Sequence, residues 1–234
     1  MGLHPLFTLG GRLQLCASMV RDQTALADVG TDHAYLPIWL AKQGRISKAV
    51  ASDVRPGPLQ TARVNIIRYR VQDIVTTRLS DGLKAILPNE AEDIVMAGMG
   101  GELIKQILSA APWVKEGQRR LILQPMTSIL PLRCFLSEQG FAILREQAVM
   151  EENHVYTVIL AQYQPQEVAT GELYPYIGKL DAKTADNREY MYRLVAGLEK
   201  KTRGLCLSGK NKDADELIEI IRQIREIADK GEQQ

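Results

Sequence analysis

The alternation of two hydrophobic patterns between about Leu26 and Gln162 restricts what this 234-residue chain can fold into more than any other feature. Some apolar runs are too short for helices and end at, or just before, Gly, Asp or Pro. This is typical of strands buried on both faces, and it holds for residues 25–29, 49–53, 94–97 and 121–124. The stretches between them repeat apolar residues at helical spacing, as in Leu103, Ile104, Ile107 and Leu108. Together they predict an α/β domain with helices on both faces of a mostly parallel sheet.

The pattern changes after Gly140. Residues 142–150 and 155–163 have the character of two further strands, and only residues 151–154 separate them. A crossover helix does not fit into so short a connection, so these strands must form a hairpin. The end of the sheet is therefore predicted to be antiparallel.

The C-terminal third has a different organisation. Residues 164–178 contain two prolines and two glycines without a clear period, which predicts a linker. Beyond it, apolar residues recur at intervals of four and three on both sides of 208–211, which predicts an antiparallel helical hairpin of the coiled-coil type. We therefore predict a sheet domain over 1–163, a linker over 164–178 and a hairpin over 179–234.

Charge is balanced overall but not within the hairpin. The chain has 29 Lys and Arg against 28 Asp and Glu, which excludes a histone-like binder of polyanions. Residues 179–212 hold nine cations and four acids, whereas 213–232 hold three cations and seven acids. Two interpretations remain open: salt bridges between the two helices, or a basic face on the first helix that meets phosphates.

Cellular context follows from what the sequence lacks. No run approaches the roughly 18 apolar residues that span a bilayer, and the N-terminus does not resemble a signal peptide. The cysteines are scattered, and neither they nor His4 and His154 have metal-ligand spacing. We expect a cytoplasmic protein without a metal and without a membrane contact, as a monomer or a weak homodimer.

The turn after the first strand is the first candidate binding element. Residues 28–37 read Asp-Val-Gly-Thr-Asp-His-Ala-Tyr-Leu-Pro. Gly30 lets backbone pass close to a ligand, and the following helix offers free N–H groups. The string is not G-x-G-x-x-G, and an acid before the glycine suits a cationic ligand better than a pyrophosphate. The alternative is a tight strand-to-helix turn without a ligand.

Acids and glycines follow the other strands as well. Asp53 ends the second strand, where an acid commonly accepts both ribose hydroxyls, although it also suits a helix cap. Asp81, in Asp-Gly after the third strand, is placed to reach an adenine amino group or to form a turn. Residues 97–101, Ala-Gly-Met-Gly-Gly, and Gln124 lie at the same carboxyl edge of the sheet. Three glycines within four residues indicate close approach of a ligand.

Three strings carry a resemblance to a known family. Residues 28–37, 97–101 and 121–125, the last reading Leu-Ile-Leu-Gln-Pro, resemble the bacterial tRNA (adenine-N1)-methyltransferases that act on adenine 22. The resemblance extends from about Arg12 to Tyr163 and, in architecture only, to the C-terminal hairpin. It implies a Rossmann-like class I methyltransferase fold, S-adenosyl-L-methionine as the cofactor and tRNA as the partner.

The same resemblance implies roles for individual residues. Asp28, Gly30, Asp32 and His33 would line the methionine side of the cofactor, and Arg12 would belong to the same site. Asp53 would take the ribose, Asp81 and Gly82 the adenine, and Ala97, Gly98 and Met99 the floor near the sulfonium. The catalytic candidates are His33, Tyr35, Met99 and Gln124.

The implied chemistry needs no general base. Adenine N1 has a neutral lone pair at pH 7, so placement and electrostatic accommodation suffice. The [DNS]-P-P-[YFW] string of enzymes acting on exocyclic amines is absent after the fourth strand. N1 lies on the Watson–Crick edge, so the target adenine must be unpaired or flipped.

The sequence also leaves several alternative functions open. They are a methyltransferase of another RNA or a small molecule, a nicotinamide oxidoreductase, and a non-catalytic protein that binds S-adenosyl-L-methionine or RNA.

Overall fold

The computed structural model of the protein describes residues 5–232. The first four and last two positions of the predicted domains lie outside the described residues, and so does His4.

One seven-stranded sheet forms the centre of the described chain, in the order β3-β2-β1-β4-β5-β7-β6. The strands are β1 Thr24–Val29, β2 Ile46–Asp53, β3 Val75–Leu79, β4 Asp93–Gly100, β5 Arg120–Thr127, β6 Phe141–Glu151 and β7 His154–Tyr163. β1 to β5 are parallel, whereas β7 runs antiparallel to both β5 and β6. The predicted mostly parallel sheet with an antiparallel end is confirmed.

Helices cover both faces of this sheet, as predicted. In chain order, the α-helices of the described residues are α1 Gly11–Met19, α2 Tyr35–Lys42, α3 Pro56–Arg68, α4 Gly101–Ser109, α5 Ile129–Glu138, α6 Tyr174–Ile177, α7 Ala185–Leu207 and α8 Asn211–Glu232. One hydrophobic core joins α1, α2 and α3 to the sheet, and a second joins α4 and α5 to the opposite face. Within the described chain, no helix is both long and apolar enough to cross a membrane.

The order of the strands creates a crevice. The chain moves outward from β1 to β2 and β3, then returns to β4 on the other side of β1. Helices that follow β1 and β4 therefore lie on opposite faces, and the space between the carboxyl ends of these two strands remains open. This crevice is where an open α/β sheet binds its ligands.

The C-terminal helices form the predicted hairpin. α7 and α8 pack through a core that includes Met191, Val195, Leu198, Ile221 and Ile224. Thr184 is the N-cap residue of α7, and its side-chain oxygen accepts a hydrogen bond from the backbone N–H of Asn187.

The segment predicted as a linker contains ordered, buried residues. Its helix α6 places Tyr174 in the core under α4 and α5 and Ile177 in the core of the hairpin. The segment thus contacts both neighbouring parts of the structure.

A buried ion pair joins the sheet to this segment and to α7. The side chains of Arg133 on α5 and Glu146 on β6 are fully buried, with Nη2 and Oε1 2.7 Å apart. Arg133 also donates to the carbonyls of Pro175 and Tyr176 and to the hydroxyl of Tyr190 on α7. This network secures the hairpin against the sheet.

Candidate active site

The turn between β1 and α2 forms the base of the candidate site. The backbone N–H groups of Gly30 and Thr31 both donate to the carbonyl of Ser52 at 2.8 Å, which ties the turn to the end of β2. Thr31 Oγ1 accepts from the N–H of Ala34, a residue with a φ of 56° that directly precedes α2. These hydrogen bonds hold an unusual backbone conformation in place.

Two adjoining cavities lie over the crevice. The first has a volume of about 520 Å³ and is lined, among others, by Arg12, Asp28, Gly30, Asp32, His33, Tyr35, Ala97 and Gly98. The second has a volume of about 250 Å³ and is lined, among others, by Gly30, Asp53, Asp81, Gly82, Gly98 and Met99. Since Gly30, Arg55 and Gly98 line both, the cavities form one elongated site.

Asp28 supplies a buried carboxyl group to the first cavity. It is only 7% exposed, and among the described residues it forms no ion pair. Burial raises the pKa of Asp28 to about 6, against a smaller opposing effect of its hydrogen bond with Thr31. A buried acid that lines a cavity and has no ion-pair partner among the described residues is suited to a cationic group of a ligand.

Two further acids line the second cavity. Asp53 is buried at the end of β2, and its Oδ1 accepts a hydrogen bond from the N–H of Arg55 at 2.7 Å. Asp53 thus forms a local hydrogen bond, as expected if it caps the following helix, and it also lines the second cavity. Asp81 is exposed, and its Oδ2 pairs with Lys84 Nζ at 2.6 Å. Leu103 and Ile107 on α4 add an apolar wall beside it.

Gln124 lies beneath the site and does not line either cavity. Its Oε1 accepts from the N–H of Gly98 at 2.9 Å and from Arg12 Nη1 at 3.1 Å, while its Nε2 donates to the carbonyl of Pro125. Its amide is therefore fully engaged within the protein. This arrangement suits a residue that positions the floor of the site rather than one that reacts.

An aromatic surface borders the first cavity. The rings of His33 and Tyr35 stack with centroids 5.1 Å apart, and Phe7 lies 4.7 Å from Tyr35 on its other side. Tyr35 is 40% exposed, and His33 Nε2 is 2.9 Å from a carboxylate oxygen of Asp32. Flat, exposed rings beside the cavity offer a surface on which a base can stack.

Some lining residues were missed by the sequence analysis, namely Thr31, Arg55, Met126, Leu103 and Ile107. Leu103 and Ile107 carried a usable signal, because they lie four positions apart at the start of a helix that begins at the glycine-rich edge. Met126 follows Gln124 on the same strand edge. Thr31 lies within the 28–37 string, although its own side chain was not a candidate, and Arg55 has no distinguishing pattern.

Within residues 5–232, no group of three or more His, Cys, Asp or Glu side chains is arranged to hold a metal ion. The expectation that the protein needs no metal stays a prediction.

The fold and the site define a Rossmann-like methyltransferase. Residues 9–159 match the family described as "Methyltransferase domain", which is more than half of the chain. The tRNA (adenine(22)-N(1))-methyltransferase of Bacillus subtilis (strain 168) is 34% identical over 161 residues, which cover 69% of this chain and 68% of that protein. The chain belongs to the tRNA (adenine(22)-N1)-methyltransferase family.

Solved structures agree over nearly the whole chain. The B. subtilis M1A22 tRNA methyltransferase TrmK is 27% identical, with a TM-score of 0.83 and coverage of 96% of this chain and 100% of that one. Sp1610 of Streptococcus pneumoniae, solved in complex with S-adenosyl-L-methionine, is 31% identical, with a TM-score of 0.75 and coverage of 93% and 98%. The likeness includes the C-terminal hairpin, which the family match over 9–159 leaves out.

Proposed function

We propose that this protein transfers a methyl group from S-adenosyl-L-methionine to N1 of adenine 22 in tRNA. The observation that carries the proposal is the elongated site, in which one acid lies at or just after the carboxyl end of each of β1, β2 and β3 along the adjoining cavities. A ligand with an ammonium group, a ribose and an adenine, in that order, matches those acids. Family membership assigns the reaction class, and the B. subtilis relative supplies the substrate by name.

The residues of the site fit this cofactor. The unpaired, buried carboxyl of Asp28 would hold the ammonium group of the methionine part, with Gly30, Asp32, His33 and Arg12 around it. Asp53 would accept the ribose hydroxyls with the carboxylate oxygen that Arg55 leaves free. The adenine would lie between Asp81, Gly82 and the wall of Leu103 and Ile107.

The reaction requires alignment more than proton transfer. When bound, S-adenosyl-L-methionine supplies a methyl group on a positively charged sulfur, and the bond from N1 to this methyl forms as the bond to sulfur breaks. Ala97, Gly98 and Met99 form the floor at this point, fixed by the hydrogen bond from Gly98 to Gln124. His33 and Tyr35 would contact the incoming base and hold N1 in line. Because N1 carries no proton at pH 7, none of these residues has to act as a base.

The free end of the hairpin would contact tRNA phosphates. Its exposed cations are Lys200, Lys201, Arg203, Lys210 and Lys212, and none of them pairs with a carboxylate among the described residues. The ion pair between Glu199 and Arg225 links α7 to α8, whereas Arg222 pairs within α8. The described cations at the free end of the hairpin thus form no ion pair with α8, which supports the second interpretation of the charge pattern.

The remaining expectations fit this activity. The division into a methyltransferase domain over 1–163, a linker over 164–178 and a hairpin over 179–234 would separate chemistry from docking. A tRNA substrate fits the expected cytoplasmic location, and the two cavities are lined by residues of one chain, which fits the expected monomer or weak homodimer. The methyl transfer needs no metal.

The test is to incubate the protein with methyl-labelled S-adenosyl-L-methionine and unmodified tRNA, digest the RNA and identify the labelled nucleoside by mass. N1-methyladenosine would support the proposal. Label in another nucleoside, or only in a small molecule, would instead favour a different methyltransferase. Cofactor binding without any label would favour the non-catalytic alternative.

A further inference from the structure

The orientation of Arg12 depends on a residue far away in sequence. The carboxylate of Glu151, at the end of β6, accepts from the backbone N–H of Arg12 at 2.8 Å with Oε2 and from Arg12 Nε at 3.1 Å with Oε1. Both side chains are partly buried, with 27% of each exposed. Glu151 thus holds the backbone and the guanidinium of Arg12 at the same time.

The same carboxylate also serves as the cap of α1. Gly10 precedes this helix and provides no side-chain cap, so the free N–H groups of the first turn need an external acceptor. A Cβ at Gly10 would lie 3.2 Å from Glu151 Oε2, and one at Gly11 would lie 3.1 Å from Val149. The two glycines leave the space that Glu151 occupies, and a carboxylate is favourable at a helix N-terminus.

Glu151 directs the rest of the guanidinium toward the site. With Nε bound to Glu151, Nη1 reaches Gln124 Oε1 at 3.1 Å and the guanidinium carbon lies 5.1 Å from the centre of the Tyr156 ring. Arg12 lines the first cavity, and its Nη2 makes no hydrogen bond to a described residue. That group is available to a carboxylate of a ligand.

We propose that Glu151 is a positioning residue for cofactor binding, which presents the guanidinium of Arg12 to the carboxylate of the methionine part. The inference rests on the proposed function, since it takes S-adenosyl-L-methionine as the ligand. Glu151 itself does not line either cavity. It acts only through Arg12.

The helical hairpin supports the strand end that carries Glu151. Asp186 on α7 accepts from the N–H of Met150 at 3.0 Å, and Arg193 on α7 donates to the carbonyl of Asn153 at 2.6 Å. These contacts fix the backbone on both sides of Glu151. The packing of α7 is thereby connected, through Glu151 and Arg12, to the cofactor site.

The test measures the Kd of S-adenosyl-L-methionine by calorimetry for the wild type, Glu151→Gln and Glu152→Gln. Glutamine keeps the size of the side chain and removes its charge, and Glu152 is an exposed neighbour that makes the matched control. We expect the Kd to rise about fivefold for Glu151→Gln, the loss of one charge-assisted hydrogen bond. Glu152→Gln should leave the Kd unchanged.

A double-mutant cycle separates positioning from a general structural role. In an Arg12→Met background, Glu151→Gln should cause no further rise in Kd, because the group that it positions is gone. Arg193→Met should raise the Kd about twofold in the wild type and not at all in Glu151→Gln.

The possible results test the role of Glu151, the connection to α7 and the proposed function separately. A wild-type Kd for Glu151→Gln, or an equal loss in the Arg12→Met background, would overturn the role of Glu151, and an unchanged Kd for Arg193→Met would remove the connection to α7. A wild-type protein that does not bind S-adenosyl-L-methionine would instead overturn the proposed function and this inference with it.

Discussion

The side chain of Met99 lies so close to the backbone of Gly30 that a Cβ at position 30 would be 2.0 Å from Met99 Cε. Gly30 has a φ of 77°, a conformation that side chains other than glycine rarely adopt. The contact brings the floor of the site, at the end of β4, against the turn after β1. A residue of the turn after β1 and a residue of β4 therefore meet at the site, where Gly30 lines both cavities and Met99 lines the second.

Gly30→Ala should abolish cofactor binding beyond any loss of stability. Gly44→Ala is the matched control, because Gly44 has a φ of 66° and a Cβ there would meet nothing within 4 Å. Both variants should lose about 1 kcal/mol from backbone strain. Only Gly30→Ala should lose S-adenosyl-L-methionine binding, as measured by calorimetry on protein confirmed to be folded. Equal binding by the two variants would show that the contact with Met99 does not shape the site.

Asp28→Asn should weaken binding of S-adenosyl-L-methionine about tenfold to a hundredfold at pH 7.5, because the ligand ammonium loses its charged partner. Asp73→Asn, an exposed change of the same kind, is the control. Since the pKa of Asp28 is about 6 in the unliganded protein, wild-type affinity should fall as the pH drops through 6 and approach that of the variant. A pH-independent difference between the two proteins would contradict this assignment.

The same carboxyl group should lower the stability of the unliganded protein. The pKa of Asp28 is higher in the folded state than the ordinary 3.8, so the folded protein binds the proton more readily than the unfolded chain. Stability therefore rises as the pH falls from about 6 toward 4. Asp28→Asn should be more stable than the wild type by roughly 3 kcal/mol at pH 7.5, and most of the difference should disappear near pH 4. Urea unfolding at both pH values provides the measurement, and a variant that is less stable at pH 7.5 would oppose the prediction.

Replacing the cations at the free end of the hairpin by glutamine should raise the KM for tRNA and leave the Kd of S-adenosyl-L-methionine unchanged. The five positions are Lys200, Lys201, Arg203, Lys210 and Lys212. The 23-residue helix α7 places this end about 35 Å from its own first turn on β6. If each cation meets a phosphate, the magnitude of the slope of log affinity against log salt should fall by about 3.5 to 4.5. The control Lys42→Gln, on the sheet domain, should change neither the KM for tRNA nor the Kd of S-adenosyl-L-methionine. An unchanged salt slope in the variant with all five substitutions would rule out docking of tRNA through this end of the hairpin.

Glu146→Gln should destabilise the fold by about 3 to 5 kcal/mol, because it leaves the fully buried Arg133 without its carboxylate. A double variant, Arg133→Met with Glu146→Leu, should recover most of this loss, since well-packed apolar residues often replace a buried ion pair without cost. Glu219→Gln in an exposed pair should leave stability unchanged within error. Thermal unfolding of the three variants measures these differences in stability. A double variant as unstable as Glu146→Gln would mean that the hydrogen bonds from Arg133 to α6 and α7 hold the hairpin against the sheet.

The sheet and most of the site could be predicted because both follow local rules. Buried strands in alternation with helices determine a parallel sheet, and parallel strands bring their carboxyl ends to one edge. Asp28 and Asp53 lie at the carboxyl ends of β1 and β2, and Asp81 lies just beyond the end of β3, so their convergence on the cavity pair follows from topology.

Contacts between distant segments could not be predicted in this way. Arg12 and Glu151 are 139 positions apart and meet only because the β6–β7 hairpin returns to the start of α1. Gln124 was a catalytic candidate, yet its partners Gly98 and Arg12 come from two other elements. Tyr174 lies in a segment without periodicity, and its burial depends entirely on tertiary packing.

The most direct test of the central claim is the methylated position in a single tRNA transcript. The protein is incubated with S-adenosyl-L-methionine and either a transcript with adenine at position 22 or its variant with guanine there. Because a methyl group on N1 blocks the Watson–Crick edge, reverse transcription stops at the modified base, and mass analysis identifies the nucleoside. We predict N1-methyladenosine and a stop at position 22 in the first transcript and neither in the second. Equal methylation of both transcripts, or a methyl group on another atom, would contradict the account.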